Sequence, residues 1–444
     1  MRRNLTVLFF LALAARLFAI GWPFAPQNAV HPLGNNWGEY QDYGTGAYYH
    51  NGIDVFAPSV GAPIYAIAHG WVKGWGTIQQ GLHWRLAISD SPPSNANRCP
   101  GWLYAHIDPN RTHKAIGDEV NAGDQIGYAV AWTVTGFDHT HFARISDTGL
   151  TWSRFPDPTW WFTENPLLEL TPQVDTVKPV ILNAASGQRF ALCRNNTNNY
   201  LSNLNAITGD VDIVVRAYDE TGVTTGDPTW DKLQPYKYVW SVRGSMDSVP
   251  PTLGLIFSGL LPTSTDLSLT GVTFKMTSPC QSYGDYDTRD YYNIVTNNAD
   301  GDSTIDIGDT AGCWHSGLMP DDAYWIKVTV SDVAGNRTTD SMLVHTTNGN
   351  GIAQVGRMNT WHNLDVPTIA RSGVELAVSF DLPGAQRAKL QLYGPNGRLE
   401  YGSAGQEFSA GKHDLRFTAT GTGVHLVVLT IGANRIVSKL TVVQ

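Results

Sequence analysis

Three short stretches of this 444-residue chain hold side chains suited to metal-assisted acid–base chemistry. They are His50-Asn51-Gly52-Ile53-Asp54, Tyr104-Ala105-His106 and Asp138-His139-Thr140-His141-Phe142. Each is weak by itself, because thirteen histidines produce such spacings by chance. Their combination carries more. In an extended strand side chains alternate between faces, so residues two or four apart point the same way. On that reading His50 faces with Asp54, and His139 with His141. If the two segments lie side by side in one sheet, four polar groups converge, and burying them without partners is too costly for a core arrangement. A divalent cation removes that cost. Zinc suits imidazole and carboxylate donors, and a catalytic zinc uses three protein ligands while keeping a fourth position for water. Two histidines and one aspartate fit that count, so one histidine of the convergent set must do something else.

The elements that position these residues read as β-strands. Residues 20–171 form the most aromatic region, and Pro166 and Pro172 bracket its exit. Within it, apolar runs at 64–68, 85–88, 103–106 and 140–145 are separated by Gly, Pro, Asn and Asp. A second region, 172–348, contains VDIVVRAYDE, YKYVWSVRG and AYWIKVTVSDVAGN, alternating with period two between turn residues. It reads as an immunoglobulin-like or fibronectin-like β-sandwich. A Gly/Asn-rich linker spans 349–365, and residues 366–444 again alternate strands with turns such as Pro395-Asn396-Gly397, predicting a second sandwich. The fold class expected is mainly β: an antiparallel β-sheet domain that carries the three motifs, followed by two β-sandwich modules.

The first region resembles the lysostaphin-type (LytM-type) zinc endopeptidases, whose signatures are His-x-x-x-Asp, Tyr-x-His and His-x-His in that order. The resemblance runs through most of 48–146, including GIDVFAPSVGAPIYAIAHGWV and GDEVNAGDQIGYAV. It implies that His50, Asp54 and His141 bind one Zn2+, and that His106 and His139 lie beside the attacking water and the substrate carbonyl as catalytic groups. It also implies a small antiparallel β domain with a groove, whose substrates are the cross-links and stem peptides of peptidoglycan. Which of His106 and His139 takes the proton is not legible. The family pattern is departed from around Gly136 to Ala143, and at an insertion-like stretch from Ser89 to Gly101. A non-catalytic cell-wall binding or regulatory surface protein is the alternative, and retention of all five positions argues against it. Tyr48, Tyr49 and Trp132 flank the motifs; groove lining is one reading and packing, the commoner role of aromatics beside strands, is the favoured one. His31, His69, His83 and His113 show no partner pattern.

The C-terminal region resembles sorting domains of the type IX secretion system, though His425 stands where that family usually has Tyr after Gly-Val. A partner implied by this is an outer-membrane secretion machinery. At the other end, Arg2 and Arg3 precede an apolar run from Leu5 to Ala15, and Ala19 suits cleavage, so residues 1–19 read as a signal peptide. The run is too short to span a bilayer, and Arg16 interrupts it. The expected location is secreted or cell-surface, with the periplasm as the alternative. A net charge of −9 offers no basic surface for a phosphate backbone, which argues against a nucleic-acid partner. Of the four cysteines, Cys280 and Cys313 are the favoured disulfide pair. Asp300, Asp302, Asp306 and Asp309 lack the EF-hand spacing and read as a solvated turn.

Overall fold

The structure is a computed structural model and describes residues 21–42, 46–77, 81–94, 100–112, 114–145, 163–259, 261, 269–284, 289–348, 364–367, 369–382, 385–395, 398–403, 405–431 and 434–444. The expected signal peptide and most of the expected linker lie outside them. The chain divides into two compact units, Met1–Ile352 and Ala353–Gln444. Both are built from β-sheet, with no α-helix among the described residues and only short 3-10 turns such as Pro166–Leu168. The mainly β fold expected from the alternating pattern is the fold observed. No helix among the described residues is long and apolar enough to cross a membrane.

The first unit begins with twelve strands: β1 (Leu33–Asn35), β2 (Tyr40–Asp42), β3 (Ala47–Tyr49), β4 (Ile53–Phe56), β5 (Pro63–Tyr65), β6 (Gly70–Thr77), β7 (Trp84–Ser89), β8 (Gly101–Ala105), β9 (Glu119–Val120), β10 (Gln125–Tyr128), β11 (His139–Ile145) and β12 (Thr163–Glu164). Eight form one antiparallel sheet in the order β1-β4-β11-β8-β7-β6-β9, with β12 joined to the end of β11. The register sets Ile53 opposite Phe142, Asp54 opposite His141, and Phe56 opposite His139. Because the pleat alternates, Ile53, Val55, Phe142, Tyr104 and Leu86 share one face, which is fully buried in the main core. Trp102 stacks on Phe142 there with ring centroids 5.3 Å apart. The opposite face carries Asp54, His139 and His141, and continues into a small apolar patch of Ala87, Leu103, Ala143 and Ile145.

Residues 173–348 supply two further sheets. One centres on the strand Asp210–Tyr218, and the other runs in the order 248–256, 237–243, 323–331, 337–345. The strand Ala323–Ser331 shows why: Tyr324, Ile326, Val328 and Val330 are buried, while Trp325 and Lys327 between them face outward. These sheets share a core with the first twelve strands, from Trp22 through Tyr49 and Trp240 to Val344. Polar contacts cross the same seam. Glu39 and Arg289, both fully buried, lie 3.7 Å apart, and Arg289 also donates to the Gly34 carbonyl. The Tyr49 hydroxyl is 2.9 Å from Thr273 Oγ1, so Tyr49 is indeed packing.

The expected disulfide is not formed: Cys193, Cys280 and Cys313 are all free. Cys280 is enclosed in a small core where its thiol donates to the Ala184 carbonyl, whereas Cys313 sits near the surface, 3.4 Å from His315 Nδ1. The two thiols have different neighbours, so their presence in one module did not make them a pair. Beside Cys193 the buried Asp212 is pushed up to about 6, chiefly by burial. Its folded form therefore holds a proton between about pH 4 and pH 6 that the unfolded chain releases, and stability on this account falls as pH rises through that window. Asp212→Asn is expected to stabilise the chain by about 1–3 kcal/mol at pH 8 and to add little at pH 4, read from urea midpoints at the two pH values.

In the second unit, strands Leu364–Asp365, Glu375–Leu382 and Gly411–Thr418 make one sheet, and a second centres on Gly423–Ile431 between Asn434–Val443 and Gln386–Tyr393. Ala388, Leu390 and Leu392 alternate into its core. His425 is buried, 3.2 Å from Glu400 Oε2.

Candidate metal and catalytic centre

All five residues singled out by spacing lie together at one end of the eight-stranded sheet, and all are buried. Asp54 on β4 and His141 on β11 are direct cross-strand neighbours, so the carboxylate and imidazole meet at 3.1 Å between Oδ1 and Nδ1. His139, two residues earlier in β11, points to the same face and brings Nε2 to 3.6 Å from Asp54 Oδ2. Thr140 between them points the other way, donating its hydroxyl to the Ala105 carbonyl. His50 arrives differently from expectation. It is not in a strand with Asp54 but in the bend between β3 and β4, so four-residue strand periodicity is not what aligns the two. The bend at Gly52 turns His50 back, so that its Nε2 lies 3.2 Å from Asp54 Oδ1 and 2.8 Å from His141 Nδ1.

Gly52 is needed for this approach. A Cβ built there would stand 2.5 Å from His141 Nε2 and 2.8 Å from the Phe142 carbonyl oxygen. One of these is backbone, so the imidazole would have to yield. Gly52→Ala is expected to weaken metal affinity about 10–100-fold, the range seen when the surroundings of a ligand are disturbed. Competition with a zinc chelator measures it.

Main-chain carbonyls fix the tautomers of three imidazoles. His50 Nδ1 lies 3.0 Å from the Asn36 carbonyl, His139 Nδ1 2.7 Å from that of Phe137, and His106 Nδ1 2.8 Å from that of Leu82. A carbonyl only accepts, so each Nδ1 carries a hydrogen, and each neutral ring presents a bare Nε2. Neutral, His50 aims a lone pair into the space it shares with Asp54 and His141; protonated, it donates from the same Nε2 to Asp54. His106 follows β8 in the left-handed region, with φ of 59°, a conformation costly for a residue with a Cβ and held by the surrounding structure. Its ring centroid is 4.8 Å from that of His139 and 6.1 Å from that of His141.

Electrostatics follow from burial and crowding. Burial pushes Asp54 up, but His50 and His139, with hydrogen bonds from His141 and His50, outweigh it and hold the carboxyl well below its usual range. Burial pushes His50 down, and Asp54 more than restores it. His141 falls to about 4 and His106 well below its ordinary value, in both cases first through burial. His106 is therefore a neutral base at pH 7.

The donor set fits a small divalent cation. His50 Nε2, His141 Nδ1 and Asp54 Oδ1 form a triangle with sides of 2.8, 3.1 and 3.2 Å, buried on one face of the sheet. Ligands about 2.0 Å from a tetrahedral zinc stand about 3.3 Å apart, close to this triangle. The carbonyl behind His50 is the outer-shell partner that a metal-bound imidazole usually has. His139 offers only the second carboxylate oxygen a contact, at 3.6 Å.

Residues 48–149 match the model of peptidase family M23. The chain thus carries an M23 domain with a His/Asp/His group of metal-site type. Solved structures similar to it include the catalytic domain of the antimicrobial peptidase lysostaphin from Staphylococcus simulans, at 22% identity over 31% of this chain and 90% of that one, with a TM-score of 0.24. A zinc-containing peptidase from Vibrio cholerae is 24% identical over 28% of this chain and 36% of that one, with a TM-score of 0.23. At these scores the likenesses add nothing to what the family match and the site geometry carry.

Around the M23 centre lie residues that sequence reasoning passed over. Trp132, read as packing, rests against both His106 and His139, at centroid distances of 4.3 and 4.8 Å. Its backbone N–H donates to Asp138 Oδ1 at 2.7 Å, so the aspartate preceding the His-x-His pair anchors the loop that brings it there. His83, given no role, stacks edge-on against His106 at 5.4 Å. Their positions beside a Tyr-x-His strand and a His-x-His strand were the available signal. Asn36, Leu82 and Phe137 act through backbone oxygens, which leave no mark in a sequence.

Proposed function

We propose that the M23 domain is a secreted zinc-dependent endopeptidase that hydrolyses peptide bonds in peptidoglycan cross-links or stem peptides. The observation that carries this is the buried triangle of His50, Asp54 and His141 with two further imidazoles turned toward it. His50, Asp54 and His141 would hold the zinc, which when bound supplies Lewis acidity and lowers the pKa of water toward about 7. His106 and His139 act on protons. Each has its Nδ1 hydrogen committed to a carbonyl and its Nε2 free to accept, so each ring can take a proton at Nε2 and return it to a leaving amine. Once protonated, the same N–H becomes a donor to the negative charge that develops on the carbonyl oxygen. Trp132 covers both rings and limits water around them, which strengthens these interactions. Residues 1–19 would direct export, and residues 366–444 would serve as the sorting module toward an outer-membrane machinery.

The test uses the full-length chain on a panel of purified peptidoglycans of different cross-link chemistry. New amino termini should be released, should disappear with a zinc chelator, and should return with added zinc. A folded, zinc-loaded chain that binds the polymers and releases no peptide from any of them would instead favour the non-catalytic binding reading.

A further inference from the structure

A second group of ligand-type side chains lies away from the M23 centre, at the seam with the β-sandwich. Asp175, Asp219 and Asp332 place carboxylate oxygens within 4.8 Å of one another, and Asp219 and Asp332 are each only 4% exposed. They come from three distant points: the segment entering the sandwich, the end of the strand Asp210–Tyr218, and the turn after the strand Ala323–Ser331. Among the described residues none of the three forms an ion pair with a lysine, arginine or histidine. Asp332 accepts from the backbone N–H and side-chain amide of Asn336 at 2.8 and 2.7 Å, and that amide also donates to the Asp175 carbonyl at 3.0 Å. Asp175 accepts from the Val177 N–H at 2.8 Å. Asp219 differs from both. Its Oδ1 is buried and accepts no hydrogen bond.

The three carboxylates line one cavity of about 20 Å³, enough for a single small occupant. Trp22, Leu33 and Asn36 wall it from the peptidase side, and Thr221 and Tyr236 from the sandwich. Three carboxylates around one largely buried space, one of them with a bare buried oxygen, are costly without a positive charge. All the donors are oxygens, several are charged, and no sulfur or imidazole is present, which suits a hard cation and not zinc. We propose that Asp175, Asp219 and Asp332 bind one calcium ion that joins the M23 region to the β-sandwich. Burial, then Asp332 and Asp175, push the Asp219 carboxyl well above the usual range, in keeping with a site that needs a cation to stay ionised. The ion also bears on the peptidase centre, because Asn36 lines the cavity while its carbonyl orients His50.

Equilibrium dialysis of the resin-demetallated, zinc-reloaded full-length chain against radioactive Ca2+ tests this independently of hydrolysis. About one calcium per chain is expected, with a dissociation constant of about 10⁻³ M or tighter. Asp219→Asn should weaken it at least tenfold, and Asp306→Asn, in the exposed loop, should leave it unchanged. Should Asp219→Asn fail to fold, Tb3+ luminescence of the unaltered chain decides: Trp22 and Tyr236 should sensitise the lanthanide, Ca2+ should displace it, and Asp175→Asn should diminish it. No calcium bound at 10-fold above that constant, calcium binding undiminished in Asp219→Asn or Asp175→Asn, or Mg2+ competing on equal terms would overturn the assignment.

Discussion

Asp54→Ala is expected to leave a folded chain that no longer retains zinc and that hydrolyses peptide bonds at least about 10³-fold more slowly. Asp54 is the hub of the centre, reaching His50 at 3.2 Å, His141 at 3.1 Å and His139 at 3.6 Å. Lewis-acid stabilisation by a bound metal is worth several kcal/mol, and each 1.36 kcal/mol is a factor of ten in rate, so loss of about 4 kcal/mol gives the stated effect. His106→Ala should separate binding from chemistry. It should keep zinc, because its ring is 6.1 Å from that of His141, yet lose about 10²–10⁴-fold in rate as an acid–base group. Zinc content and turnover measured on the same preparations would distinguish the two. Loss of zinc in His106→Ala would place that residue among the ligands and force a different division of roles.

The second large effect concerns the support of the centre. Arg289→Leu is expected to destabilise the first unit by about 3–5 kcal/mol, because it removes a buried cation 3.7 Å from the buried Glu39 carboxylate. Glu39 also accepts from the Asn36 N–H at 3.0 Å and from the Gln234 N–H at 3.2 Å, and the Asn36 side-chain amide donates to the Gln234 carbonyl at 2.9 Å. Asn36 in turn holds His50. A polar chain therefore runs from the sheets of residues 173–348 to the His50, Asp54 and His141 group, beside the aromatic contact of Trp230 with Phe137, whose carbonyl holds His139. For the same reason a chain ending after residue 171 should be poorly folded, since it would expose its half of a common core. Urea unfolding followed by tryptophan fluorescence measures the Arg289→Leu effect. A loss below 1 kcal/mol, or a compact two-state fragment ending at 171, would show the sandwich to be dispensable.

Much of this centre was legible in the sequence, for uneven reasons. His139 and His141 share a face because strand periodicity is two, and that inference needs nothing beyond their spacing. For His50 and Asp54 the convergence was right and its cause was not: the i, i+4 spacing works here through the bend at Gly52. The five residues assembled, whereas what orients them did not show. Backbone oxygens of Asn36, Leu82 and Phe137 have no side-chain signature. Trp230 reaches Phe137 from about ninety positions away in sequence, and Arg289 reaches Gly34 from 255. The sandwich strands were readable from alternation, but alternation says nothing about which face another module covers. Asp175, Asp219 and Asp332 escaped notice for that reason, while the closely spaced acids at 300–309 drew it. Those acids cap a turn, Asp306 accepting from the Gly308 N–H and Asp309 from the Asp306 N–H.

The central claim is that His50, Asp54 and His141 form a zinc site that leaves His106 and His139 free for proton transfer. Elemental analysis with zinc-edge X-ray absorption on the purified full-length chain tests it most directly. The expected result is one zinc per chain with two imidazoles and oxygen donors in its shell, lost in His141→Ala and kept in His139→Ala. A folded chain without zinc, or a shell of three or more imidazoles that loses one in His139→Ala, would contradict it.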